Sequence, residues 1–267
     1  MIPKIIHYCW FGKGLMPKSQ KDCIKGWQKL MPDYKIMRWD ESNFDVNQYE
    51  STRLPYAAKK YAYVADVCRF NVLAEFGGIY LDTDVEVFKR FDEFLDCNFF
   101  SGIELYRDFE KEHIAEQYLN EDGTVKDPTQ DVPHFEILTS TIGCAPNNPA
   151  ICKIRDFYNN VYINQAIMES YREHFNLDRL VARYLTQYGF RYRDETQRFG
   201  EGMVVYGTGV FGHQFCVNPD YVISYHHNAT SWDNDKWDKA QRRKVFFDKL
   251  GLLPVYNWLK NLKKKLK

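Results

Sequence analysis

Apolar positions along this chain follow two rhythms, one of a helix and one of a strand, and they alternate. The run from Lys4 to Trp10 is β-rich and ends at Phe11-Gly12-Lys13-Gly14, a turn signal. It predicts a first strand with its carboxyl end at Trp10. Pro17 to Leu30 predicts a helix, with the proline in its first turn, where a missing N–H costs nothing. Tyr34 to Trp39 predicts a second strand, followed by an Asp40–Asn43 loop. The clearest helix is Ala57 to Phe76, where Tyr61, Ala65, Cys68, Val72 and Phe76 recur at i+3 and i+4 spacing. Gly77-Gly78 stops it, because glycine takes up the left-handed cap cheaply.

Beyond the glycine pair, Ile79-Tyr80-Leu81 predicts a short strand and Val85 to Phe88 a further extended run. Glu104 to Phe135 is polar and aperiodic and predicts a long, variable surface insertion with a short helix. Helices are expected over Cys152–Tyr171 and Asn176–Tyr188. Short strands are expected over Met203–Tyr206, Phe215–Val217 and Val222–Tyr225. No internal repeat or low-complexity linker interrupts this order. Strand–helix alternation of this kind predicts one α/β domain with a mixed sheet.

Composition adds a few constraints. A chain of 267 residues suits one large domain, or one with a small appendage. The seven cysteines are odd in number and form no C-x-x-C, so neither a zinc site nor a disulfide framework is indicated. The start lacks the pattern of a signal peptide, and no run approaches the roughly 20 apolar residues of a spanning helix. A cytoplasmic protein is therefore expected. The net charge of zero hides an asymmetry: Arg242 to Lys267 holds nine Lys/Arg and one acid, leaving the remainder about −8. Two regions follow, a domain over 1–241 with an insertion about 104–135, and a basic amphipathic tail over 242–267.

The strongest chemical signal is Asp82-Thr83-Asp84, directly after a predicted strand. In an extended chain, side chains two apart share a side, so the two carboxylates converge. Like charges so placed repel. A divalent cation removes the conflict, and hard oxygen ligands suit Mg²⁺ or Mn²⁺. A polar β-turn is the alternative. Asp66 and Arg69 stand i, i+3 on the preceding helix and are either a structural ion pair or a pair that hydrogen-bonds hydroxyl and phosphate oxygens.

The run Tyr61-Ala62-Tyr63-Val64-Ala65-Asp66-Val67-Cys68-Arg69-Phe70, followed by Gly77-Gly78-Ile79-Tyr80-Leu81-Asp82-Thr83-Asp84, resembles the sugar-binding D-x-D region of glycosyltransferase family 32. Ile2 to Trp10 resembles that family's first strand, and Tyr225-His226-His227-Asn228-Ala229-Thr230-Ser231-Trp232 its closing motif. The family includes bacterial capsular and lipopolysaccharide transferases and yeast α-mannosyltransferases. It shares its signature with the catalytic domains of clostridial glucosylating toxins. The resemblance implies a GT-A (Rossmann-like nucleotide-diphospho-sugar transferase) fold with a mixed central sheet and helical additions. It also implies a nucleotide-sugar donor, a Mn²⁺ or Mg²⁺ ion and retention at the anomeric carbon.

The resemblance further implies roles by position. Trp10 stacks on the nucleobase, Asp66 and Arg69 grip the donor sugar, and Tyr80 lines its pocket. Asp82 meets the ribose or sugar side, Asp84 binds the metal, and Ser231 and Trp232 close over the phosphates. His226 and His227 point to opposite faces of an extended chain, and His227 is the one expected as a further metal ligand, which favours manganese.

The acceptor is less constrained. In the tail, Val255, Trp258, Leu259, Leu262 and Leu266 share one helical face, with Lys260, Lys263, Lys264 and Lys267 away from it. Such a helix reads either as a peripheral membrane anchor over 254–267 or as a helix docked on the domain. The anchor reading places the protein on the inner face of the cell membrane, with a lipid-diphosphate-linked glycan of surface or capsular polysaccharide as acceptor. UDP-galactose or UDP-glucose is the favoured donor. The alternatives are a GDP-mannose-dependent mannosyltransferase, a toxin-like protein glycosyltransferase and a non-catalytic carbohydrate-binding protein. No nucleic-acid partner is implied.

Overall fold

The computed structural model describes residues 1–106, 108–161, 176–212 and 222–228. Within them the first strand, β1 (Ile5–Cys9), leads through helix α1 (Lys18–Leu30) to β2 (Lys35–Trp39), which pairs parallel to it with Ile6 opposite Ile36. Helices α2 (Glu50–Ala57) and α3 (Tyr61–Phe76) return the chain to β3 (Gly78–Leu81), parallel to β1 on its other side. The central sheet continues with β5 (Phe99–Leu105), β6 (Phe135–Ile137), β7 (Thr141–Cys144), β8 (Gln197–Phe199) and β9 (Met203–Tyr206), in the order β2-β1-β3-β7-β5-β9-β8, with β6 on β5. Parallel and antiparallel pairs both occur, β3–β7 and β5–β7 being antiparallel and β5–β9 parallel. This is the α/β class with a mixed central sheet and helical additions that the sequence predicts. A small second sheet joins β4 (Val85–Val87), β10 (Phe211–Gly212) and β11 (Ser224–His226), with β11 in the middle.

Helix α3 is the hinge of the architecture. Val64, Val67, Cys68, Phe70, Val72, Leu73 and Ala74 are all buried, which is more than one stripe. A helix apolar on several faces lies inside the protein, and α3 packs on α2, on β1 and on α6 (Pro149–Asn160). The sequence reading ran this helix from Ala57. The chain breaks instead at Ala58–Lys60, where Lys59 is left-handed with φ 59°, and the preceding turns form the separate α2 with Pro55 inside it. Gly77 (φ 61°) and Gly78 (φ 98°) then turn the chain into β3. A Cβ on Gly77 would stand 2.6 Å from Pro146, and one on Gly78 2.7 Å from the Ile5 carbonyl, so both positions exclude side chains.

His7 locks this corner. Its Nε2–H donates to the Gly77 carbonyl at 2.8 Å, and the Trp39 indole N–H donates to its Nδ1 at 3.0 Å. Burial lowers its pKa to about 4, so the ring is the neutral tautomer that these two bonds require.

Other expectations shift. Glu104 to Phe135 is not wholly an insertion: Glu104 and Leu105 end β5 and Phe135 opens β6, and the two strands pair antiparallel at its base. Between them lie the short helices α4 (Asp108–Lys111) and α5 (Ile114–Tyr118). The helix expected over Cys152–Tyr171 is α6, which ends at Asn160, with 162–171 outside the described residues. That expected over Asn176–Tyr188 is α7 (Leu177–Thr186), capped by the Asn176 side chain on the Arg179 N–H. The expected strand at Phe215–Val217, the domain boundary at 241/242 and the tail helix lie outside the described residues. The described cysteines are all free thiols.

Candidate metal and nucleotide-sugar site

The order β2-β1-β3 reverses direction at β1, and the crevice beyond the carboxyl ends of parallel strands at such a reversal is where α/β sheets bind ligands. Trp10 follows β1 there, and Asp82 follows β3. The loop after β1 is held by Glu41, whose carboxylate accepts from the Gly12 N–H at 2.6 Å and the Tyr56 hydroxyl at 2.8 Å. Trp10 itself is half-buried, its indole N–H donating to the Gly14 carbonyl at 2.8 Å.

Asp82 to Val85 is a turn, not the extended segment inferred from side-chain alternation. The Val85 N–H donates back to the Asp82 carbonyl at 3.0 Å, and the Asp82 N–H reaches Ser140 across the sheet. From below, the buried Trp27 of α1 donates its indole N–H to the Val85 carbonyl at 2.8 Å. From the side, β11 pairs His226 with Val85, and the His227 N–H donates to the Asp84 carbonyl. The turn is thus fixed on three sides, and it brings the two carboxylates together by tertiary support rather than by strand periodicity.

The histidine that joins them is His226. Its Nε2 lies 3.3 Å from Asp84 Oδ1 and 3.8 Å from Asp82 Oδ2, and ligand atoms of the three residues all fall within 4.8 Å of one another. The expected ligand, His227, faces away and meets Glu86 at 3.0 Å. The expectation of alternating faces was sound, but the strand register of β11 on β4 decides which ring turns inward. Burial alone would lower the His226 pKa. The charge and hydrogen bond of Asp84, with Asp82 and Glu104, outweigh it and raise the value to about 9. Two carboxylates and an imidazole are a donor set suited to a divalent cation, Mn²⁺ above Mg²⁺, and all three remain partly open to solvent.

Arg69 departs from its expected place at the donor sugar. Its side chain is only 5% exposed. One amino group donates to Asp82 Oδ1 at 2.9 Å and lies 3.4 Å from Asp66. The other donates to the Thr139 hydroxyl at 2.6 Å. Tyr80, expected to line a pocket, is buried under the guanidinium, whose carbon sits 4.3 Å from the ring centroid. Asp66 stays partly exposed at the edge of this assembly. Ser231 and Trp232 lie outside the described residues.

A second group of acids was missed. Glu104, Glu136 and Asp178 also bring ligand atoms within 4.8 Å of one another. Here Tyr106 donates to Glu104, Asn176 and Arg179 donate to Glu136, and Thr139 donates to Asp178 through both its N–H and its hydroxyl. Burial and mutual repulsion raise the pKa values of Glu136 and Asp178, against the pull of Arg179 and of the Thr139 bonds. Nothing local in the sequence marks these acids, because they come from three distant segments.

Comparison with known proteins bears out the resemblance. Residues 17–100 match the family described as "Glycosyltransferase sugar-binding region containing DXD motif". An uncharacterized glycosyltransferase of Acanthamoeba polyphaga mimivirus is 28% identical over 171 residues, 62% of this chain and 57% of the viral protein. Inositol phosphoceramide mannosyltransferase 3 of Schizosaccharomyces pombe is 37% identical over 107 residues, 35% of this chain and 27% of the yeast protein. Among solved structures, the PaToxG glycosyltransferase has a TM-score of 0.44 at 19% identity, covering 70% of this chain and 69% of its own. The chain thus spans between about a quarter and about three-fifths of these two curated relatives.

Proposed function

We propose, from a chain whose residues 17–100 match a glycosyltransferase sugar-binding region, that this protein is a metal-dependent glycosyltransferase of the GT-A type. It moves a hexose from a nucleotide sugar to a glycan acceptor. The observation that carries the reading is the convergence of Asp82, Asp84 and His226 at the carboxyl end of β3, the strand paired with β1, which Trp10 follows. Asp84 and His226 would hold the cation, with Asp82 completing the set. A divalent ion bound there would supply Lewis-acid stabilisation to the departing diphosphate oxygens.

The remaining work falls to the protein's own groups. Trp10 offers an aromatic face to the nucleobase. Asp66, partly exposed beside the site, accepts from donor-sugar hydroxyls. The buried guanidinium of Arg69 holds Asp82 rather than the leaving group. Transfer with retention proceeds by front-face attack within an ion pair, the route that the resemblance to the family favours.

UDP-galactose or UDP-glucose is our preferred donor, and the acceptor is a lipid-linked surface glycan reached from the cytoplasmic side. One observation favours a second donor, GDP-mannose: the yeast relative carries a mannosyltransferase name. No helix among the described residues is long and apolar enough to cross a membrane. A panel of UDP- and GDP-sugars assayed for hydrolysis with and without Mn²⁺ tests the reading. Turnover of one donor class only when Mn²⁺ is added supports it, and equal turnover in EDTA refutes it.

A further inference from the structure

A continuous line of hydrogen bonds runs from the start of α7 to the candidate cation site. Asp178 accepts from the Thr139 N–H at 3.0 Å and from the Thr139 hydroxyl at 2.5 Å. That hydroxyl accepts from Arg69 at 2.6 Å, and Arg69 donates to Asp82 at 2.9 Å. A hydroxyl has a single proton to give. With that proton committed to Asp178, a lone pair of Thr139 is left facing Arg69. The guanidinium is planar and rigid, so fixing one amino group fixes the other. Asp82 is then held through Oδ1, which leaves Oδ2 turned towards His226.

We propose that Thr139 and Asp178 are positioning residues that set the carboxylate of Asp82 through Arg69, and so set the affinity of the site for its divalent cation. This rests on the function proposed above. Both Thr139 and Arg69 are about 4% exposed, so water competes poorly for any bond in the line. The line also spans separate elements: α7, the β6–β7 connection, α3 and the turn after β3. Outer partners of this kind are worth about 10- to 100-fold in metal affinity.

The test is Mn²⁺ binding to the full chain, read by electron paramagnetic resonance of free Mn²⁺ with and without UDP, beside donor-hydrolysis kinetics and melting temperature. Thr139→Val keeps the shape and removes the hydroxyl; it is expected to weaken Mn²⁺ binding about tenfold. The expected kinetic signature is a raised Mn²⁺ requirement, with kcat recovering at saturating Mn²⁺. Thr139→Ser is expected to restore binding to within about twofold, since it returns the hydroxyl. Asp178→Asn, which keeps an acceptor oxygen, is expected to fall between the two and serves if the valine variant fails to fold. Folded Thr139→Val binding Mn²⁺ like the wild type, while Asp84→Ala binds none, overturns the relay and leaves the proposed function standing. A wild type that takes up no Mn²⁺ overturns both.

Discussion

Two acidic triads stand close together in this protein, and they are built on opposite principles. In the triad of Asp82, Asp84 and His226, side-chain exposures are 27%, 13% and 18%, and the third member is a base. In the triad of Glu104, Glu136 and Asp178, all three members are acids; Glu104 and Glu136 are buried and Asp178 is partly exposed. The buried triad is quenched from within by Arg179, Asn176, Tyr106 and Thr139. A buried charge without such partners is costly, so the partners are a condition of its existence. The open triad instead sets two carboxylates against a histidine whose pKa they raise. Proximity of three ligand atoms is therefore a poor guide to a metal site. Solvent access and the identity of the neutralising group distinguish the triad proposed to take an exchangeable cation from the triad whose counter-charges are the protein's own.

Four experiments sharpen or break that contrast. The largest effect is expected from Asp84→Ala, which removes the central ligand of the open triad. Donor hydrolysis is expected to fall about 1,000-fold, with loss of Mn²⁺-dependent UDP binding and little change in melting temperature. Retained turnover would erase the distinction. Next, Glu136→Ala strands Arg179 and is expected to cost about 3 kcal/mol of stability, measured by urea denaturation, with Mn²⁺ affinity changed less than about threefold. A variant as stable as the wild type would mean that the second triad is not a structural unit.

Third, the neighbouring histidines are expected to diverge. His226→Ala weakens Mn²⁺ binding by at least about tenfold, and His227→Ala by less than about twofold. The reverse order would restore the ligand read from the sequence. The smallest effect is on pH. Glu136 has its pKa raised in the fold, so the folded state binds its proton more readily than the unfolded chain. Its contribution to stability is therefore greatest below its unfolded value and is lost as pH rises through the folded one. Glu136→Gln is expected to reduce, by about 1 kcal/mol, any stability gained between about pH 7 and about pH 5. His7, lowered in the fold, contributes the opposite slope, but it is common to both proteins and cancels in the difference.

Much of the α/β order was legible because it rests on local signals. The turn after Trp10, the helix expected over Pro17–Leu30 and the glycine stop at Gly77-Gly78 each act within a few residues; the helix is found as Lys18–Leu30, with Pro17 at its N-cap rather than in its first turn. The strands β5 and β7 were not seen. Phe99–Leu105 and Thr141–Cys144 are short runs buried on both faces, which lack the alternation of a half-exposed strand. The same limit governs the site. Asp82, Asp84, Asp66 and Arg69 are marked by spacing within one helix–strand unit. Which of His226 and His227 faces inward depends on register with β4, and Arg69 is drawn into the interior by Thr139, which lies 70 residues away. Glu104, Glu136 and Asp178 meet only through the sheet and α7, so no spacing rule could have joined them.

The most direct test of the account is where manganese goes. Crystals grown with Mn²⁺ and UDP, measured at the manganese absorption edge, are expected to show an anomalous peak bonded to Asp84 and His226. A peak among Glu104, Glu136 and Asp178, or none beside Asp84, would contradict the assignment of the open triad as the cation site.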